Sequence, residues 1–458
     1  MATPIAAKHV EKLARHRIDP NDITYTCDTQ KEVVLDIVRQ FTLSTEKLHE
    51  IKANFQEGMR KGLAKDGETL AMITSFGSFL ALDVGGTNLR VVNVLLGGSG
   101  QISTRQAKYK IDEALKVGPA KALFVDEHQI RVHGGSAIQM GFTFSFPVLQ
   151  TSINRGTLIT WTKGFNASGM VGKDPVIMLQ DAFNRRHVPV QVAALVNDTV
   201  GTLLAYAYNN PETAIGVIFG TGTNGAYIEQ VDRIPKWRGP SQEREMIINM
   251  EFGAFDKERA VLPLTMFDNK LDRKSVNPSK QLFEKMIAGM YLGEITRNVL
   301  LHLIDRRLVF NGNISSDLNQ MWTFETAYMS AIEADSTPTL HHTKKILEAT
   351  LNFPPTSLND RQIVKLVVEL VGRRAARLGG VALAAILDHT GDYTQKTAIG
   401  IDGSLYEFYP SFDTDLLDCI EEMLGAEARQ NVSIGLAQDG SGVGAALCAL
   451  LASRNGDH

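Results

Sequence analysis

Between residues 30 and 66 the chain is polar and rich in Glu, Lys and Gln, with Leu and Ile returning at three- and four-residue steps. That period predicts helix with one buried face. The texture then changes. Phe79-Leu-Ala-Leu82 is a short apolar run ending in Asp83-Val-Gly-Gly-Thr-Asn88, and Arg90-Val-Val-Asn-Val-Leu-Leu96 follows it. Two apolar runs joined by a glycine-bearing turn predict a β-hairpin. The pattern recurs where Ile215-Gly-Val-Ile-Phe219 leads through Gly220-Thr-Gly-Thr-Asn224 into Ala226-Tyr-Ile228. Both turns close on Thr-Asn, which predicts an internal repeat: two similar sheets, each opening with a hairpin whose turn faces the other. Glycine turns after apolar runs return at Ile399-Gly-Ile-Asp-Gly-Ser404 and Gly435-Leu-Ala-Gln-Asp-Gly-Ser-Gly442.

Long helical periods lie between these runs. Residues 282–304 carry apolar positions at 282, 286, 290, 295, 299 and 303, and 362–388 is helical with Gly379–Gly380 as a bend or close-packing point. Gln191–Val196 reads as a strand and Thr199–Tyr208 as a helix, apolar at 200, 203, 204 and 207. Strand hairpins alternating with helices predict an α/β architecture of two lobes. No stretch rich in Pro, Gly or Ser separates them, so helices or short crossings join the lobes.

The length of 458 residues exceeds what one hydrophobic core serves. Hydrophobic residues at 44% and charged residues at 21% are ordinary for a globular chain. The net charge of -4 argues against nucleic acid as a partner. The Arg pairs at 185–186, 306–307 and 373–374 are scattered and read as solvated helix ends. Cys27, Cys419 and Cys448 are far apart and odd in number, which suits reduced thiols in the cytoplasm. The N-terminal stretch has basic residues but no apolar core of a secretory signal. The apolar run 380–387 is too short to span a bilayer.

Several segments could carry chemistry. Glycines at the end of a strand let backbone N–H groups approach an anionic ligand. The Asp83-to-Asn88 turn is therefore either a phosphate cradle or a plain hairpin turn, and Gly220-Thr-Gly222 repeats the choice. Asp198 falls where a strand gives way to a helix. That is the place of an N-cap, and also where α/β proteins hold catalytic groups, with Asn197 beside it able to bind a hydroxyl. In Trp161-Thr-Lys-Gly-Phe165, Lys163 is either a placed cation or an exposed turn lysine. Strict alternation over Gly141–Pro147 puts Thr143 and Ser145 on one face and Phe142, Phe144 and Phe146 on the other, with Ser145 facing a cleft or solvent. Glu251 and Glu284 read singly as solvated surface carboxylates.

Taken in order, the segments LALDVGGTNLRV, GFTFSFPV, WTKGF, LVNDTVGTLLA, GTGTNGAYIE, INMEFGAF, LFEKMIAGMYLGE, IGIDGSLYEFYP and DGSGVGAAL resemble the eukaryotic hexokinase family, in its single-unit fungal or animal form, from about residue 30 to about residue 450. The resemblance implies an actin-like ATPase (ribonuclease H-like) α/β fold, two lobes around a central cleft. It implies a small lobe of 70–197 plus 438–455, a large lobe of 20–69 plus 198–437, and an N-terminal tail over 1–19. It implies ATP-dependent phosphorylation of a hexose at its 6-hydroxyl, with Asp198 as base, Lys163 offsetting charge, and Mg²⁺ carried by ATP with Asp83 contacting it through water. Ser145, Thr162, Lys163, Asn197, Asn224, Glu251 and Glu284 would hold the sugar. Asp83, Gly85, Gly86, Thr87 and Asn88 would form the first phosphate segment, and Thr221 and Gly222 the second. Thr326, Ser330, Gly403 and Ser404 match positions around the adenosine, and Gly442 lies in the closing glycine turn. Glucose, mannose and fructose share most contacts, and the chain is expected to be a monomer or weak homodimer. The rival expectation is a sugar sensor of the same fold without turnover, which would be expected to lose the base or the phosphate turn. Two segments are shorter than the family pattern, 72–78 and 122–135, which predicts a small lobe that is repacked or weakened.

Overall fold

The computed structural model describes residues 17–75, 81–84, 88–98, 101–110, 113–118, 138–163, 165–238, 244–437, 440 and 442–447; for 75, 81–84, 88–98, 101–110, 113, 115 and 138 it describes the backbone alone. The shortened segment 122–135, residues 76–78 of the other shortened segment and residues 85–87 of the first glycine turn lie outside the described residues, as does Cys448.

The helical period over 30–66 is not one helix but two, Asp28–Phe41 and Thr45–Ala64. Ser44 Oγ accepts the Lys47 N–H at 3.2 Å and starts the second helix, so the side-chain cap overrides a continuous apolar stripe. The 282–304 period is also divided. Ala288, at φ -87 and ψ 145, separates Leu282–Ile287 from Gly289–Asp305. The period over 362–388, by contrast, belongs to one unbroken helix of 33 residues, Leu358–Thr390. Its capping box joins Ser357 to Asp360, and Gly391 ends it at φ 80. Gly379 and Gly380 mark close packing, not a bend: a Cβ at 379 would lie 2.9 Å from the Phe219 ring, and one at 380 would lie 2.7 Å from Cys419 Cβ.

Two large sheets form the frame. One has five strands in the order Gln101–Lys110, Asn88–Gly98, Ala81–Val84, Ile138–Phe144, Val190–Val196. The other has six: Ile73–Ser75, Glu245–Asn249, Thr223–Gln230, Thr213–Phe219, Thr397–Asp402, Val432–Leu436. In each, a hairpin pairs antiparallel, a third strand extends it antiparallel on one side, and two strands add in parallel on the other. The repeat seen in two hairpins is thus a repeat of a whole five-stranded unit. The six-stranded sheet carries one strand more, Ile73–Ser75, paired antiparallel to Ile247–Asn249. Residues 73–75, which the resemblance assigns to the small lobe, thus extend the six-stranded sheet.

The helix Asp198–Ala207 leaves the last strand of the five-stranded sheet and lies on the six-stranded one. The surface beneath it is a row of glycines. Gly216, Gly400 and Gly435 are register partners on three adjacent strands. A Cβ at Gly216 would stand 2.5 Å from Leu203 N and from Thr199 O. One at Gly400 would stand 2.5 Å from Tyr206 Cβ, and one at Gly435 2.0 Å from the Tyr206 hydroxyl. Above the helix, segment 442–447 crosses at Gly444, where a Cβ would fall 1.9 Å from Gly201 O. At Gly216 and Gly444 backbone packs on backbone, while Gly400 and Gly435 make room for the Tyr206 side chain; at each point the missing Cβ permits the approach. The small apolar cluster of Ala194, Val196, Val200, Ala226 and Ala445 fills the junction of the two sheets.

The expected alternation over 141–147 is present. Phe142, Phe144 and Phe146 pack with Trp161 and Phe165 into one core, Phe146 edge-on to Trp161 at 4.8 Å. Two of the Arg pairs lie at helix ends in solvent, but Arg373–Arg374 does not. Arg374 is 1% exposed in the middle of the long helix, where it grips Asp268 through both carboxylate oxygens (2.7 and 2.8 Å) and lies over the Phe41 ring. Among the described residues no helix is long and apolar enough to cross a membrane.

Two substitutions test this packing. Gly216→Ala should destabilise the fold by about 1–3 kcal/mol through forced displacement of the helix. Arg374→Ala, which strands Asp268 as an unpaired buried charge, should cost about 3–5 kcal/mol. Chemical denaturation measures both, and a wild-type midpoint for either variant would contradict the contact it targets.

Candidate active site

The end of the Val190–Val196 strand and the start of the Asp198–Ala207 helix fix the first group. Asn197, not Asp198, is the N-cap: its Oδ1 accepts the Thr199 N–H at 2.9 Å and the Thr199 hydroxyl at 2.6 Å. Asp198 is the first helical residue. Its Oδ1 shares the Thr199 N–H at 3.0 Å, and its Oδ2 accepts from Lys163 Nζ at 3.2 Å. The helix N-terminus favours a negative charge there. Lys163 is not an exposed turn residue. It is 7% exposed, at φ 53, with its ammonium 5.9 Å from the Phe146 ring centre.

Lys163 meets the second glycine turn. A Cβ on Gly222 would lie 2.7 Å from Lys163 Cε and 2.6 Å from Glu284 Oε2, so glycine is what allows both side chains to cross this turn. Glu284 Oε2 accepts the Thr223 N–H at 3.1 Å, while its Oε1 is buried with no hydrogen-bond partner. Glu284 is 2% exposed, which overturns the reading of a solvated helix face. The helix that carries it is short and buried throughout, so no polar side exists for the apolar period to reveal.

Glu251 completes the group at φ 56, just beyond the strand Glu245–Asn249. Its Oε1 accepts from Asn249 Nδ2 at 2.8 Å and from Asn224 Nδ2 at 3.4 Å. Asn224 Nδ2 also donates to Asn249 Oδ1 at 2.7 Å, and Asn224 Oδ1 accepts the Gly225 and Phe252 N–H groups. Glu251 too is held in a network, not free in solvent.

Three carboxylates thus surround one ammonium, and their protonation responds. Burial disfavours the charge on Lys163, but Asp198, Glu284 and Glu251 outweigh it and hold its proton above the usual lysine range. Burial pushes the Glu251 carboxyl up to about 7; Asp198 and Glu284 add to this, against the Asn249 hydrogen bond and Lys163. Burial also raises Glu284, opposed by Lys163 and the Thr223 N–H. Ser145 and Thr162 are buried nearby in sequence to this group, at the end of the Phe strand and next to Lys163. A pocket bordered by Ile73, Phe144, Phe146, Asn197 and Asn249 opens between the two sheets.

The remaining positions line up along the second turn. Gly220 O accepts the Gly289 N–H at 2.8 Å, and Gly289 O accepts the Thr326 hydroxyl at 2.6 Å. Thr221 O accepts the Met290 N–H at 3.3 Å. Gly403, at φ 121, rests on this turn: a Cβ there would be 2.4 Å from Phe219 O. Ser404 opens the helix Ser404–Phe408, whose Phe408 carbonyl accepts the Ser330 hydroxyl at 2.6 Å. Thr221, Gly222, Thr326, Ser330, Gly403 and Ser404 therefore belong to one connected edge. Asp83 and Asn88 lie on the two strands of the first hairpin, Asp83 in register with Arg90 and Asn88 with Lys110, while Gly85, Gly86 and Thr87 lie outside the described residues. Gly442 is buried in the helical segment 442–447 and not in a turn. Asn249 was not singled out from the sequence. The available signal was its place at the end of an apolar run, two residues before Glu251.

A family model described as hexokinase matches residues 33–208, and a second one of the same description matches residues 214–451. A glucokinase of Aspergillus niger is 40% identical, the match covering 91% of this chain and 96% of that protein. A hexokinase of Kluyveromyces lactis is 40% identical, with 90% of each chain covered. The solved structure of the Schistosoma mansoni hexokinase complexed with glucose superposes with a TM-score of 0.84 at 34% identity, covering 93% of this chain and 99% of that one. With its duplicated sheet, the carboxylate at the helix start and matches along nearly its whole length, the chain belongs to the hexokinase family and has that family's two-lobed, actin-like ATPase fold.

Proposed function

We propose that this hexose kinase transfers the γ-phosphoryl group of ATP to the 6-hydroxyl of glucose, and of mannose and fructose, with Asp198 as general base, as the first step of glycolysis. One observation carries the reading. The Asp198 carboxylate is buried at a helix start and bound to Lys163, with the Gly222 turn on one side and the Glu251–Asn224–Asn249 network joined to the same sheet.

The chemistry follows from that placement. Phosphoryl transfer passes through a loose transition state, so alignment and charge neutralisation supply most of the catalysis. The sugar 6-hydroxyl gives its proton to Asp198 as its oxygen bonds to the γ-phosphorus, and the bond to the ADP oxygen breaks. Lys163 stands beside the accumulating charge. Ser145, Thr162, Asn197, Asn224, Glu251 and Glu284 hold the other hydroxyls, whose donors match an excess of carboxylate acceptors. Glu284 Oε1, buried and unpartnered, is one acceptor such a hydroxyl would satisfy.

ATP lies along Thr221, Gly222, Thr326, Ser330, Gly403 and Ser404, with Asp83, Gly85, Gly86, Thr87 and Asn88 at its phosphates from the other sheet, and Gly442 nearby. Mg²⁺ arrives on those phosphates, where it would neutralise charge. Such an ion needs only one or two carboxylates from the protein, and Asp83 at the end of its strand is of the right kind. The two sheets form the cores of two lobes that close when sugar binds and exclude water, which limits hydrolysis of ATP. The same reading places the chain in the cytoplasm as a monomer or weak homodimer. The free thiols Cys27 and Cys419 are in keeping with a reducing compartment.

The test is ADP formation by the purified chain with ATP, Mg²⁺ and glucose. Asp198→Ala should lose turnover by about a thousandfold, within the usual range for a general base, while its glucose affinity stays near wild type. Turnover retained in that variant would remove Asp198 from the role. Wild-type protein that binds glucose without turnover would be a sensor.

A further inference from the structure

Asn249 bonds to two proposed sugar-binding side chains at once. It ends the strand Glu245–Asn249, 3% exposed, with Ala226 as its register partner on one side and Ile73 on the other. The direction of its amide is dictated from the backbone. Gly225 and Phe252 donate their N–H groups to Asn224 Oδ1, which turns Asn224 Nδ2 toward Asn249 Oδ1. Asn249 must then present its own Nδ2 to Glu251 Oε1, at 2.8 Å. A chain of oriented donors runs from two peptide groups to one carboxylate.

Glu251 needs that donor. Its neighbours are Asp198 from the helix start and Glu284 from the helix Leu282–Ile287, both of like charge. The cation that acts on it, Lys163, is in contact with Asp198 at 3.2 Å. Asn224 reaches Glu251 at 3.4 Å, so the hydrogen bond from Asn249 is the shorter of the two. Resting on the hexose reading above, we propose that Asn249 is a positioning residue for sugar binding: it keeps Glu251 an ionised acceptor, fixed through one oxygen, with the other left for a sugar hydroxyl. It acts through Glu251.

The consequence is a pH signature. The Glu251 carboxyl is pushed up to about 7 by burial and by Asp198 and Glu284. Ionised Glu251 accepts hydroxyl donors and protonated Glu251 does so poorly, so sugar affinity should rise with pH through that value and then level off. Removing the Asn249 donor moves the levelling point upward. Glucose KM and binding by calorimetry between about pH 6 and about pH 9 cover this range, and a Glu251→Gln control separates Glu251 from Glu284, whose carboxyl burial also raises, and from Glu333, pushed up to about 8. Asn249→Ala should raise the glucose KM about tenfold near neutrality, as expected for a lost hydrogen bond to a charged group, with most of the loss recovered at the alkaline end. kcat should fall far less than KM rises. In a Glu251→Gln background, which cannot titrate, Asn249→Ala should add little. If the alanine variant does not fold, Asn249→Ser, which keeps a shorter donor, should shift the profile the same way by less. An unshifted pH profile in the folded variant, or a full additive effect in the Glu251→Gln background, overturns the proposal. Wild-type protein that neither binds nor phosphorylates glucose is a different result, and sinks the hexose reading beneath it.

Discussion

The close approach of one helix to one sheet governs the rest. Gly216, Gly400 and Gly435 clear a path across three adjacent strands, and Gly444 faces Gly201 on the opposite side. The helix Asp198–Ala207 is thereby seated by backbone contacts at Gly216 and Gly444 and by the Tyr206 side chain over Gly400 and Gly435, a close packing with little freedom to relax. Its first residue is Asp198, and the strand before it belongs to the other sheet. The constraint that ties the sheets together therefore also sets the position of the proposed base. Phosphoryl transfer is sensitive to displacements of an ångström, so a base on a clamped helix start is a physically sound arrangement.

Charge is the second theme. Asp198, Glu251 and Glu284 converge around Lys163, and burial acts against the charges of Lys163, Glu251 and Glu284. A fold selected for stability alone would not collect carboxylates this way. The group is held by oriented donors: the Thr199 and Thr223 N–H groups and the amide of Asn249. Acceptors remain in excess, as the orphaned Glu284 Oε1 shows. A polyhydroxylated ligand brings the missing donors, and that complementarity links the electrostatics to the sugar.

Much of this was legible in the chain, and the reasons for what was not are local. The two hairpins were readable because glycine turns between apolar runs have few alternatives. The repeat of the whole five-stranded unit was not, since its parallel strands are far apart in sequence. The break at Ser44 was hidden because the apolar period continues across it, while the cap depends on a single hydroxyl. Arg374 and Glu284 were read from their spacing as solvated, and Lys163 was left open between a placed cation and an exposed turn lysine, because residue type sets the prior and only tertiary packing supplies the partners. The carboxylate before a helix was ambiguous between cap and catalyst. The structure separates the two roles by giving the cap to Asn197. The sugar and nucleotide positions entered through family resemblance, and Asn249 escaped because its role lies in the neighbours it orients.

The central claim concerns where the Asp198 carboxylate points when both substrates are present. A structure of the complex with glucose and a non-hydrolysable ATP analogue measures this. The account predicts an Asp198 oxygen within about 2.6–3.2 Å of the sugar 6-hydroxyl, with that hydroxyl facing the γ-phosphate. An Asp198 side chain turned away from the sugar, bonded to Lys163 and its own helix alone, would contradict it.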